Sequence, residues 1–68
     1  MQPKREETHE QEISWEVTLR SGEVVQYRGH TARERDGRLE FCDQQGETME
    51  SLALASVSDW HPFQAIGE

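Results

Sequence analysis

Between Ile13 and Arg20 the chain alternates without a break: Ile13, Trp15, Val17 and Leu19 are apolar, and Ser14, Glu16, Thr18 and Arg20 are polar. A period of two is the pattern of a strand with one face in a core and the other in water. Such a strand cannot cover its own apolar face, so the remaining sequence has to supply partners for it. Ser21-Gly22 follows at once, and glycine reaches the positive φ that a tight hairpin needs. Val24-Val25-Gln26-Tyr27 then resumes β-rich composition and predicts a second strand.

Further along, residues 29–37 (GHTARERDG) are polar and end in Asp36-Gly37, which reads as a loop or distorted strand end closed by a turn. Arg38-Leu39-Glu40-Phe41-Cys42 alternates again, Asp43-Gln44-Gln45-Gly46 is a second turn, and a strand is expected from Thr48 to Leu54 with Leu52 and Leu54 on one face. Ala55 to Trp60 fits either a single 3₁₀ turn or a last short strand, and His61-Pro62 is expected to stop it, with Phe63 and Ile66 folding back on the end. Short strands at regular spacing with glycine turns predict a mostly β fold: a small Sm-like barrel of four to five antiparallel strands over residues 13–68. Residues 1–12 have no strong apolar side chain beyond Met1, so nothing in them offsets the entropy of ordering, and they read as a flexible acidic tail.

At 68 residues, 32% of them apolar, the chain has room for one thin core and no second domain. Cys42 is the single cysteine, so no internal disulfide can brace that core, which fits a reducing compartment. No segment has the roughly 18 successive apolar residues of a membrane helix, and the charged first dozen residues do not resemble a signal peptide. A cytoplasmic, monomeric protein is expected. Fourteen acids against seven bases give a net charge of −7, which repels phosphate backbones and anionic membranes and favours a basic partner.

Residue sets for catalysis are missing from this reading. His9, His30, His61 and Cys42 are the potential zinc ligands, but no two have the spacing of a zinc motif, and the glycines are spread over turns instead of forming a phosphate loop. No metal, cofactor or enzymatic activity is expected. Charge is distributed unevenly: Arg28, Arg33, Arg35 and Arg38 fall within eleven residues beside Tyr27, whereas Leu39 to Glu68 holds six acids and neither lysine nor arginine. The arginines and Tyr27 would suit RNA, through phosphate contacts and base stacking, although Glu34 and Asp36 interrupt them. Glu40, Asp43, Glu47 and Glu50 gather around the second hairpin and would complement a lysine- or arginine-rich groove.

From Val17 onward the order of segments resembles the Rof family of Rho-binding antiterminators, small Sm-like proteins that inhibit the bacterial transcription termination factor Rho. The resemblance is carried by Val17-Thr18-Leu19-Arg20-Ser21-Gly22-Glu23, by Gly46-Glu47-Thr48, by Leu52-Ala53-Leu54 with Val57 and Trp60, and by His61-Pro62. It implies a non-catalytic protein that occupies Rho's basic RNA-binding surface and keeps RNA off it. Glu23 and Glu47, at the matching turns, are the first candidates for partner contact, followed by Asp43 and Glu50, then Glu10 and Glu12. The alternatives are an RNA-binding Sm-like module using Tyr27, Arg28, Arg33, Arg35 and Arg38, and an assembly module that pairs through edge strands.

Overall fold

A computed structural model describes residues 5–63. Five strands follow one another: β1 (Arg5–Leu19), β2 (Val24–Arg35), β3 (Arg38–Cys42), β4 (Thr48–Ala53) and β5 (Val57–Phe63), with a 3₁₀ turn at Leu54–Ser56 between the last two. They form one antiparallel sheet in the order β4-β3-β2-β1-β5.

Turn chemistry sets this order. Asp36 (φ 55°) and Gly37 (φ 73°) both lie in the left-handed region and join the paired residues Arg35 and Arg38, the backbone that a two-residue type I′ hairpin demands. Asp43 builds the other hairpin with its side chain: Oδ1 accepts the backbone N–H groups of Gln45 and Glu47, both at 2.9 Å. The 3₁₀ turn is tied down at both ends, Leu54 N donating to the Gly37 carbonyl (2.9 Å) and Arg20 N to that of Ser56 (3.0 Å). It thereby carries the chain from one edge of the sheet to the other.

The core depends on a sharp bend in β1. Trp60 lies opposite Val17 in the β1–β5 ladder, yet the Arg5 guanidinium stacks 3.7 Å from the centre of the Trp60 ring. In a straight strand Arg5 and Val17 would be about 40 Å apart, so β1 has to fold over. The ladder records where: β1 runs from Thr8 to Ile13 while β2 advances only from Thr31 to Gly29, leaving His9–Glu12 as a bulge. Inside the curl, Trp15, Val17, Ala32, Leu39, Phe41, Val57 and Trp60 form one buried cluster. Trp15 is its centre, with ring centroids 5.9 Å from Trp60 and 6.1 Å from Phe41, and its indole N–H donates to the Gly29 carbonyl at 3.0 Å. Gly29 has to be small, since an added Cβ would stand 3.1 Å from the Cys42 carbonyl oxygen.

Four sequence expectations are corrected by this arrangement. The sheet is curled but open, with β4 and β5 as its edges, because the 3₁₀ turn and not a ladder links them. Residues 5–12 are strand and not tail: backbone pairing of Arg5–Thr8 with Thr31–Glu34 requires no apolar side chains. Residues 29–35 continue β2, since this polar stretch lies between β1 and β3 with both of its backbone edges paired. Finally, Pro62 does not end β5, which runs on to Phe63; as an edge strand it tolerates a residue with no N–H to donate. Phe63 is exposed, and Ile66 lies outside the described residues.

A domain of this length has a stability of about 3–10 kcal/mol. Trp15→Ala, which removes a fully buried indole, should cost ~3–5 kcal/mol, a large share of that stability. Urea denaturation followed by circular dichroism checks this, and a midpoint equal to that of the wild type would contradict the packing described.

Candidate acidic interface

The ladders arrange the charged residues in rows across β1, β2, β3 and β4. Thr8, Thr31, Cys42 and Thr48 form one row, followed by Glu7, Ala32, Phe41 and Glu50, then Glu6, Arg33, Glu40 and Ser51, then Arg5, Glu34, Leu39 and Leu52. Beyond the threonine row, the β1 bulge His9–Glu12 and the Asp43–Glu47 turn lie on either side of His30. Arg5, Arg33, Arg35 and Arg38 thus share the Asp36-Gly37 end of the sheet with Glu6, Glu34 and Glu40, whereas Arg28 lies beyond the threonine row.

The two groups differ in how far they are already occupied. Arg33 donates from Nε to Glu40 Oε1 at 2.8 Å, and Arg35 reaches the same oxygen at 3.3 Å. The side chains of Arg33 and Glu40 are only 17% and 14% exposed, and the hydrogen bond that Arg33 donates to Glu40 pushes the Arg33 pKa up. Arg28 donates to Glu12 at 2.7 Å, and Arg38 donates to the Ser51 hydroxyl. The Tyr27 ring is stacked on Phe41 with centroids 5.2 Å apart, so one of its faces is taken by the core. Of the residues proposed for RNA contact, three arginines are ion-paired within the chain, the fourth is hydrogen-bonded, and the tyrosine is half-buried.

Carboxylates at the other end are mostly unoccupied. Glu10, Glu47 and Glu50 are exposed, and among the described residues their side chains make no hydrogen bond or ion pair. Glu12 is exposed and bound to Arg28, while Asp43 is half-buried and engaged in its turn. Glu23 is exposed too, but its turn follows β1 and precedes Val24, seven residues along β2 from Thr31, so it stands apart from Glu47 and Glu50. By register Glu10 and Glu12 lie on one side of His30, Asp43 and Glu47 on the other with Glu50 opposite Phe41, and Glu23 lies elsewhere; we refer to the first five as the acidic rim. Glu40 belongs to the arginine network, a role that its place in an acidic run does not reveal.

Among the described residues no three His, Cys, Asp or Glu side chains are grouped to hold a metal ion. Cys42 is buried, with its sulfur 4.0 Å from the Thr48 hydroxyl. No helix of the described residues is long and apolar enough to cross a membrane. Comparison with family models, curated proteins and solved structures gives no match.

The contrast between occupied and unoccupied acids is testable through stability. Glu40→Ala strips two arginines of their shared acceptor and should cost ~1–3 kcal/mol. Glu47→Ala, at an exposed position with no side-chain partner, should change stability by less than about 0.5 kcal/mol. Urea titration of both variants checks the pair, and equal losses would contradict the division drawn here.

Proposed function

We propose that this chain is a non-catalytic binding protein whose acidic rim occupies a basic, RNA-binding surface of a partner protein, and that the partner is Rho. The observation that carries the reading is how the charges are occupied: Glu10, Glu47 and Glu50 are exposed and unpaired among the described residues, whereas Arg28, Arg33 and Arg35 are ion-paired with the chain's own acids. A partner approaching the rim meets carboxylates that can replace RNA phosphates. Long-range attraction between a −7 chain and a basic groove accelerates encounter and makes it sensitive to salt.

Rho enters through the segments that resemble the Rof family, of which Gly46-Glu47-Thr48 falls within the rim itself. The five-strand order is compatible with an Sm-like sheet that stays open. Direct RNA binding would require Arg28, Arg33 and Arg35 to exchange their internal carboxylates for phosphates, against the net charge of the chain.

Glu47→Lys with Glu50→Lys reverses two rim charges and takes the formal net charge from −7 to −3 (two changes of +2 each). Neither side chain has an internal partner to lose, so the fold should persist. Association with purified Rho should slow by about tenfold or more at low salt, with a smaller effect at high salt. Stopped-flow or surface-based kinetics at two salt concentrations reads this. Unchanged Rho binding by the double variant, or a wild-type chain that binds single-stranded RNA and not Rho, would overturn the proposal.

A further inference from the structure

Trp60 is 2% exposed although it belongs to an edge strand, and its environment has the composition of a guanidinium site. Its ring packs against Trp15 and is stacked by the Arg5 guanidinium at 3.7 Å, well within cation–π range. The indole N–H donates to Glu34 Oε2 at 2.7 Å, which fixes the carboxylate beside the ring. Arg5 is opposite Glu34 in the β1–β2 register, although the two side chains form no ion pair with each other. An aromatic face with a carboxylate at its border selects a planar, fork-shaped cation over the compact ammonium of lysine.

The present occupant is held by one short ladder, the Thr8–Thr31 hydroxyl contact and the packing of His9 on Trp15. Arg5–Thr8 pairs with Thr31–Glu34, and the His9–Glu12 bulge then separates this short ladder from the rest of β1. No side chain from Arg5 to Glu12 is itself buried, but His9 packs edge-on against Trp15 with ring centroids 5.4 Å apart, so a segment that replaces Arg5–Glu12 has to cover Trp15 as well as Trp60. Release would uncover both the slot and the backbone edge of β2 at Thr31–Glu34, which can accept another strand.

We propose that Trp60 and Glu34 form an arginine-binding slot, occupied in the isolated chain by Arg5, that receives an arginine from an extended basic segment of a partner protein pairing with Thr31–Glu34. The slot uses different residues from the acidic rim and does not depend on the partner being Rho. Self-occupancy lowers the apparent affinity by the fraction of time that the slot is filled, so removing Arg5 should raise it.

The test titrates the full chain with a blocked pentapeptide, arginine-valine-threonine-valine-threonine, and with its lysine counterpart, following the Trp60 indole N–H resonance. Arg5→Ala should bind the arginine peptide about tenfold more tightly than the wild type does, and about tenfold more tightly than it binds the lysine peptide. Adding Glu34→Gln to Arg5→Ala should abolish the gain. If Arg5→Ala loses its β spectrum, Arg5→Lys is titrated instead, and the same preference for the arginine peptide is required. An unmoved Trp60 resonance at millimolar peptide, equal binding of the two peptides, or no gain over the wild type would overturn the proposal.

Discussion

The contact on which this structure depends is the meeting of Trp60 with both ends of β1. Val17 pairs with Trp60 in the ladder, and Arg5 stacks on its ring from twelve residues earlier in the same strand. Two contacts so far apart in sequence can meet only if β1 folds over at His9–Glu12, and that bend curls the sheet around Trp15, Phe41 and Leu39. A chain with few apolar residues thereby encloses two indoles and a phenyl ring without a disulfide, a second sheet or a long helix. The open edges follow from the same economy, since a 3₁₀ turn anchored at Gly37 and Arg20 spans the distance that a closing ladder would otherwise cover.

Electrostatics follows from the register. The β2–β3 ladder places Arg33 opposite Glu40, and the side chains of the pair are largely withdrawn from water with Arg35 on the same carboxylate. A half-buried charge without its partner is costly, so Arg33 is committed to the fold, with the exposed Arg35 sharing its acceptor. The Asp43–Glu47 turn has no basic strand neighbour, and its exposed acids keep their full field towards solvent. The segregation of charge that matters for a partner is thus produced by pairing within the sheet, and counting acids and bases along the chain shows only part of it.

Much of the fold was legible locally. The alternation from Ile13 to Arg20 marks a half-buried strand, Asp36-Gly37 marks a hairpin whose two residues both take positive φ, and Trp15 on the alternating face is fully buried. What escaped was non-local. Arg5 to Glu12 reads as a tail because its side chains are polar, but its order comes from backbone pairing with β2 and from a tryptophan more than fifty residues further along the chain. Residues 29–35 read as a loop for the same reason, whereas Gly29 is buried under Cys42 and Arg33 is held by Glu40. At the candidate site, the rim acids Glu47 and Glu50 were visible as an acidic hairpin. The loss of Glu40 to the arginines, the use of Asp43 inside its own turn and the separation of Glu23 required the register.

We propose the rim from the β1 bulge to the Asp43–Glu47 turn as the partner-facing surface, with Arg33 and Arg35 engaged by Glu40. Amide-resolved line broadening of the isotopically labelled chain, on adding substoichiometric unlabelled Rho, addresses it residue by residue. Strongest broadening is expected at Glu10 to Glu12 and at Gln44 to Glu50, with Arg33, Arg35 and Arg38 least affected. Broadening centred on Arg33 to Arg38 with a silent Glu47 would contradict it.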